Sequence, residues 1–288
     1  MSRVWLIIGA SFGFGLELVK TAAARGDRVL AATRNPSKVA ALPGITVVRL
    51  DHNVPLPQIQ ADIKEILKIY GTIDVVVNNA GYVQAGTVEE ATPEETVRQF
   101  QANVFGPINV CRAILPHLRE KRSGTLITIG SMAAWFSMAS CNLYNASKAA
   151  LRRLTLGLGD EIRPFGIQHC LIEPGYFRTA LLSPSGNLAG TNDSAARIAD
   201  YADLVAKANA DFVGFHGNQL GDAVRGASII YDLVTSSGVA AGRPLPPFVP
   251  LGSDANEAIV KSALGTVDEV REWADVARLS DSPLKLKV

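Results

Sequence analysis

Neither sign of charge is in excess along these 288 residues: 28 Lys and Arg stand against 27 Asp and Glu, a net charge of +1. That balance gives no electrostatic case for nucleic acid or an anionic membrane as a partner. Cysteine is scarce. Cys111, Cys141 and Cys170 are widely spaced and odd in number, so they form neither a disulfide framework nor a metal-ligand pattern. A reducing compartment, the cytoplasm, is the expected location. His52, His117, His169 and His216 are scattered and read as neither metal ligands nor bases, so no metal is expected. No apolar stretch reaches the roughly 18 residues a membrane span needs. The run RVWLII is followed at once by glycines, which marks a strand rather than a cleavable leader. No repeat, linker or low-complexity segment divides the chain, so one domain over residues 1–288 is expected.

What the chain does have is apolar bulk, 48% hydrophobic against 19% charged residues, arranged in alternating strand and helix segments. The strand VWLII enters the loop GASFGFG and then the helix LELVKTAAARG. Gly9, Gly13 and Gly15 allow a tight turn and close approach of backbone to a ligand. The helix start offers free N–H groups and a positive dipole end to a pyrophosphate. The spacing is G-x-x-x-G-x-G, and the strand-to-helix context gives it meaning. The next strand, DRVLAAT, ends at Thr33 and is followed by Arg34. An NAD-binding unit places a carboxylate about there for the ribose hydroxyls. An arginine fork suits a 2′-phosphate instead, with Lys38 as a second cation, so NADP(H) is expected over NAD(H).

ITVVRLD is a third strand, ending at Asp51; Asp51, His52 and Asn53 either touch the adenine or cap the helix LPQIQADIKEILKIYG. IDVVVNNAG leads a fourth strand into Asn79, Ala80 and Gly81, small and amide residues suited to a backbone passing under a cofactor. A long helix is predicted from Pro93 to Arg122. Asn103, an unfavoured residue type inside a helix, either bonds backbone at a local distortion there or is incidental to one caused by Gly106-Pro107.

The chemistry is expected between Ser131 and Lys148. Tyr144 and Lys148 are i and i+4, one turn apart on one helix face. Ser131 closes the buried strand TLITIG, where its hydroxyl can donate to a substrate oxygen beside the tyrosine. A free phenol titrates at about 10, and lowering it by roughly 3 units needs about 4 kcal/mol of differential stabilisation from the nearby cation. The result would be a general acid/base usable near neutral pH. Cys141 reads as a small packing residue. A further strand, FGIQHCLIEPG, ends at Pro174-Gly175.

This alternation implies an α/β fold: a doubly wound parallel sheet in three α/β/α layers, with ligands at the carboxyl ends of the strands. Gly9 to Gly15, Arg34, Asp51, Asn79, Ser131 and Gly175 all fall at such ends. Residues 176–220 break the rhythm and are expected to form a lid, with a helix from about Asp193 to Lys207 and an apolar set of Phe177, Leu181, Leu182, Phe212 and Phe215. GDAVRGASIIYDLVTSSG reads as a helix, RPLPPFVPLG as an extended edge strand, and the remainder as a helical C-terminal extension.

Together, GASFGFG, NNAG, Asn103, Ser131, Tyr144-x-x-x-Lys148 and Pro174-Gly175 resemble the short-chain dehydrogenase/reductase family, over residues 3 to about 180. TRNPSK, IEPGYFRT and PLGSDA look like its NADP(H)-dependent members. The resemblance implies a Rossmann fold and a role for each matching residue. Tyr144 would exchange the proton with the substrate oxygen, Ser131 would polarise the carbonyl, and Asn103 would position a water in the proton relay. Lys148 would lower the tyrosine pKa and hold the nicotinamide ribose. Gly9, Ser11, Gly13, Phe14 and Gly15 would line the pyrophosphate and nicotinamide side. Arg34 would take the 2′-phosphate, Asp51 and His52 the adenine, and Asn79, Ala80 and Gly81 the adenosine ribose. Pro174, Gly175, Phe177 and Thr179 would lie toward the nicotinamide end. A homodimer or homotetramer through the helices holding Asn103 and Tyr144 is implied as well. One position departs: Ile8 stands where the family usually has threonine, removing a hydrogen bond worth about 1 kcal/mol.

The expected activity is that of an NADPH-dependent carbonyl reductase or alcohol dehydrogenase. Its substrate would be a moderately bulky apolar ketone or secondary alcohol, of polyketide, terpenoid or steroid-like kind. The same scaffold would also suit an epimerase or cyclase without net redox turnover, or a non-catalytic NADP(H)-binding protein.

Overall fold

The structure, a computed structural model, describes residues 2–39, 43–182, 187–190, 197–215 and 217–282, without the side chains of Lys38 and Leu182. Strand β1 (Val4–Ile8) is buried at every position, as a strand covered on both faces must be. Helix α1 (Gly13–Ala24), β2 (Arg28–Thr33), β3 (Ile45–Arg49), α2 (Leu56–Tyr70) and β4 (Val75–Asn78) follow. After a two-residue strand, β5 (Val83–Gln84), come α3 (Pro93–Phe100), α4 (Gly106–Lys121), β6 (Gly124–Ile129), α5 (Asn142–Ile162) and β7 (Ile167–Pro174). The chain continues through β8 (Leu188–Ala189), α6 (Ala202–Phe215), α7 (Ala223–Thr235), β9 (Phe248–Leu251), α8 (Ser253–Glu272) and α9 (Ala274–Arg278).

Seven of these strands form one parallel sheet in the order β3-β2-β1-β4-β6-β7-β9. Order reverses on either side of β1 and β4, which opens a crevice at their carboxyl ends. Alternation along β1 divides the core. Trp5 and Ile7 pack with Leu18, Val19 and Ala22 of α1 and Ala227, Ile230 and Val234 of α7. Val4, Leu6 and Ile8 pack on the other face with Ile59, Ile63 and Ile66 of α2 and Val110, Ile114 and Leu118 of α4. The sheet is thus the middle of three layers, as the strand–helix alternation predicts. α7 is further tied down by buried Asp27, which accepts from Trp5 Nε1 (2.8 Å) and the Tyr231 hydroxyl (3.0 Å).

Four boundaries differ from expectation. The helix predicted over residues 93–122 is interrupted: Gln101–Phe105 form a turn of π-helix between α3 and α4, with Gly106 N–H reaching back to Gln101 O. β3 stops at Arg49, short of Asp51, because Asp51 Oδ1 turns to accept from Asn53 N (3.0 Å). Asp51 does not cap α2, whose N-cap is Pro55. The helix expected within the lid lies further along than residues 193–207, with a 3₁₀ turn at Ala199–Tyr201 leading into α6, which runs to Phe215. Residues 183–186 and 191–196 of the expected lid, and His216, lie outside the described residues. β9 is the edge strand and α8 and α9 the helical extension, as read from the sequence. Among the described residues no helix is long and apolar enough to cross a membrane.

Candidate active site

The glycine loop is built by contact. Gly9 has φ +79°, and a Cβ on it would stand 2.8 Å from Ala80 Cα, so only glycine fits between β1 and the end of β4. A Cβ on Gly15 would overlap Gly9 O and crowd the Asn79 amide nitrogen. Asn79 Nδ2 donates to Gly9 O (3.0 Å) and Ile8 O (3.4 Å), bracing the loop where the usual threonine is missing. Ile8 itself is packed into the core. α1 begins without a side-chain cap at Phe12, which leaves its first N–H groups facing the crevice. Ser11 Oγ lies 2.6 Å from Thr33 Oγ1 at the end of β2, beside exposed Arg34.

The side where the chemistry is expected is held by α5. Tyr144 and Lys148 are both buried on one face of this helix, with Lys148 Nζ 5.9 Å from the centre of the Tyr144 ring. Lys148 Nζ donates to Ile129 O (2.9 Å), the last carbonyl of β6. Ser131, two residues on, accepts from Ala133 N (3.1 Å) through its hydroxyl oxygen. Its hydroxyl hydrogen remains to bond Tyr144. Asn145 Nδ2 donates to Phe136 O (2.8 Å) and so fixes the segment between Ser131 and α5.

Electrostatics in this pocket run against expectation. Burial pushes the Tyr144 phenol well above its ordinary value; the Ser131 bond opposes this, and Lys148 is not among the groups that do. Burial also brings Lys148 down from 10.5 to about 8, against an opposing pull from Glu173. Within the chain's own charges, Tyr144 is therefore a protonated phenol, the form that donates. Burial raises the Cys141 thiol to about 12, as befits a packing residue.

Asn103 is central but not in the cavity wall. Its Oδ1 accepts from Tyr82 N (3.1 Å), and its Nδ2 donates to Tyr82 O and Ser147 Oγ (both 3.0 Å). The π-turn thus aims a fully used amide between Tyr82, just before β5, and α5. Gly106, rather than marking a mere irregularity, is where His52 packs: a Cβ there would overlap the imidazole. His52 Nε2 donates to Ala102 O (3.1 Å), and burial lowers its pKa.

These pieces enclose one cavity of about 760 Å³. Of the residues expected at the cofactor, Gly9, Ser11, Gly13, Phe14, Arg34, His52, Asn79, Ala80, Gly81, Tyr144, Lys148, Pro174, Gly175, Phe177 and Thr179 line it, together with Ser131. Gly15, Asp51 and Asn103 do not; each acts from behind the wall, Gly15 by packing and the other two by hydrogen bonds. The Lys38 side chain lies outside the described part. Sequence reasoning passed over Arg98, Asn187 and Tyr176, which also line it. Tyr176 carried a signal, since it directly follows Pro174-Gly175. Arg98 and Asn187 carried none. Among the described lining residues there are three cations, Arg34, Arg98 and Lys148, and no carboxylate. The far end is apolar, with Met138, Leu181, Leu188 and Phe212. Leu188 arrives there because β8 pairs with β5 and Asn187 Nδ2 donates to Gly81 O (2.8 Å).

A doubly wound parallel sheet, a glycine loop opening onto an uncapped helix, and a serine–tyrosine–lysine set in one cleft define a nucleotide-binding α/β protein equipped for proton transfer. The chain belongs to the short-chain dehydrogenase/reductase family, and residues 3–187 match the family described as short chain dehydrogenase. It is thereby an oxidoreductase scaffold of the NAD(P)-binding kind. It is 32% identical over 229 residues to the 3-ketodihydrosphingosine reductase of Bacteroides thetaiotaomicron, covering 77% of this chain and 82% of that protein. A short-chain dehydrogenase from Streptomyces avermitilis superposes with a TM-score of 0.85 at 33% identity, over 98% of this chain and all of that one. A short-chain dehydrogenase from Burkholderia cenocepacia, solved in complex with NADP, shares the fold with a TM-score of 0.68 at 21% identity, over 98% of each chain.

Proposed function

We propose that the chain is an NADPH-dependent carbonyl reductase, or alcohol dehydrogenase in reverse, acting on a moderately bulky apolar ketone or secondary alcohol. The observation that carries this is the cavity in which Ser131, Tyr144 and Lys148 face one end of a glycine-loop cleft whose described lining residues include cations and no carboxylate. The cleft fits a dinucleotide: Gly9 lets the loop turn tightly against Ala80, and the first N–H groups of α1 are left without a side-chain cap for a pyrophosphate. Likeness of fold at 21% identity does not transfer a preference for NADP. Arg34 supports it here, standing where an NAD site would want a carboxylate.

In this proposal Arg34 holds the 2′-phosphate, and Asn79 to Gly81 support the adenosine side. When bound, the cofactor supplies or accepts the hydride. Ser131 donates a hydrogen bond to the substrate oxygen, and Tyr144 gives its proton to the same atom. A phenol kept protonated by burial suits that donation, so reduction is the favoured direction. Lys148 holds positive charge beside the tyrosinate that remains. The apolar end formed by Met138, Leu181, Leu188 and Phe212 selects a substrate with a greasy substituent, and the segment from about residue 176 to 220 serves as its lid.

Three buried free cysteines suit a reducing compartment, and the cytoplasm is part of the same proposal. A dimer or tetramer is proposed through the α3–α4–α5 face, where Phe105 and Leu154 are exposed.

Fluorescence titration with NADPH and NADH tests the cofactor, and a ketone panel followed at the NADPH absorbance tests the chemistry. Tight NADPH binding, weakened selectively in Arg34→Ala, together with stoichiometric oxidation on some ketone, is the expected result. Binding without oxidation on any ketone would favour a cofactor-binding protein, and no binding of either nucleotide would sink the assignment.

A further inference from the structure

Behind the Tyr144–Lys148 pair lies a buried charge that the chemistry above does not use. Glu173, on β7 just before Pro174-Gly175, is fully buried. Its Oε2 accepts from Trp135 Nε1 (2.6 Å), but its Oε1 has no hydrogen-bond partner. The carboxylate has room because residue 130 is glycine; a Cβ there would stand 3.0 Å from Glu173 Cγ. Arg152 approaches on the other side, its Nε 3.7 Å from Oε1 and its guanidinium 4.1 Å from the centre of the Trp135 ring. Tyr144, Lys148 and Arg152 are i, i+4 and i+8 on α5, so one helix face presents the phenol and both cations in a row.

An isolated buried carboxylate is costly and survives where cations compensate it. Here the compensation is shared. Burial pushes the Glu173 carboxyl up, and the Trp135 hydrogen bond, Arg152 and Lys148 pull against that; in return its charge reaches Lys148. From α5 the groups facing it are therefore Lys148 and Arg152, with Arg153 acting on Arg152 from behind. The neighbouring strands contribute no titratable group, only Ile129 and Gly130 beside it on β6 and its turn and Pro250 opposite on β9. Trp135 belongs to the segment that begins at Ser131, and Ser262 of α8 donates to its carbonyl.

We propose that Glu173 is a positioning residue for the active site: its buried carboxylate is the counter-charge that keeps Lys148 an ammonium beside Tyr144, and through Trp135 it anchors the segment carrying Ser131. The inference rests on the proposed reductase chemistry for its purpose, but its physical content concerns Lys148 alone. A lysine drawn down by burial to about 8 sits close to losing its charge at neutral pH. Removing the carboxylate that faces it would carry it across.

Proton titration of Lys148 by ¹³C NMR on ε-¹³C-lysine protein, with the resonance assigned from Lys148→Met, tests this without any turnover. Glu173→Gln keeps an acceptor for Trp135 and removes the charge. Its Lys148 midpoint is expected to fall by about one pH unit, a tenfold change in the ammonium-to-amine ratio, while Glu173→Asp recovers part of the shift. Arg152→Met removes the competing cation and is expected to move the midpoint upward, which keeps the test open if Glu173→Gln does not fold. An unmoved midpoint in folded Glu173→Gln, or in Arg152→Met, overturns the proposal. In turnover, the alkaline fall of ketone reduction should move down in pH with the lysine in Glu173→Gln. A uniform loss at every pH would mean a merely structural role and also overturns it. A wild type that reduces no ketone would defeat the reductase assignment while leaving the titration interpretable.

Discussion

Asn103 Nδ2 donates to Ser147 Oγ at 3.0 Å, and Ser147 Oγ donates in turn to Tyr144 O at 2.7 Å. Helix α5 is thereby tied, at the residue that bears the phenol, to a turn of π-helix and from there to the backbone of Tyr82. Asn103→Ala would strip Tyr82 N–H of its partner and leave the buried Ser147 hydroxyl without its donor. A loss of about 2–4 kcal/mol in urea unfolding is expected. Turnover should fall too, because Gly81 and Tyr82 line the cavity.

Tyr144→Phe removes the transferable proton and little volume. Its kcat is expected to fall by about 10²–10⁴-fold, the usual worth of a positioned general acid, with NADPH affinity nearly unchanged by fluorescence titration. Near-wild-type turnover would show that the proton comes from elsewhere.

Lys148 makes a prediction about stability against pH. Its folded-state value, about 8, lies below the ordinary 10.5. The folded protein therefore binds the proton less well than the unfolded chain. The resulting cost is fully present below pH 8 and is relieved as pH rises from 8 to 10.5. Lys148→Met should raise stability at pH 7 by up to about 3 kcal/mol, and that gain should shrink toward pH 10 while turnover is lost throughout. Paired thermal melts at pH 7 and pH 10 check the sign.

Gly106→Ala tests the turn from its other side. A methyl there would meet the His52 ring and the His52 carbonyl, which are backed by α4 and the π-turn. Overpacking of this kind costs about 1–3 kcal/mol, read as a lower unfolding midpoint, whereas relief is expected from adding His52→Ala.

How much of this was legible in the sequence depends on the reach of each signal. The glycine loop, the tyrosine–lysine spacing and the central strands were legible because each is local: a short pattern dictates its own geometry. Arg34 was legible as a substitution of cation for carboxylate at a known distance from the glycines. The π-turn was half legible. Asn103 looked out of place in a helix, but the reason lies in Tyr82 and Ser147, 21 and 44 residues away. β5 and β8 were invisible, since two residues carry no periodicity and their pairing joins Val83 to Leu188. Asp51 and Gly15 were placed at the cofactor by position, yet neither lines the cavity, because Asp51 is engaged by Asn53 N in the turn after β3 and Gly15 packs against Gly9 O and Asn79. The lysine's place beside the phenol was legible, while the burial that raises the phenol was not. Sequence spacing gives proximity, and burial, which dominates here, depends on the whole fold.

The two residue pairs that hold β8 against β5 have a consequence for how such a chain can diverge. Every group proposed to move a proton sits on α5 or at the end of β6, fixed by the central sheet. The apolar wall, by contrast, is completed by Leu181, Leu188 and Phe212, from a stretch fastened by a handful of hydrogen bonds. Mutational drift in that stretch can retune which molecule fits while the proton chemistry goes on undisturbed. A combinatorial library confined to those three positions would accordingly explore new substrates on a constant catalytic background.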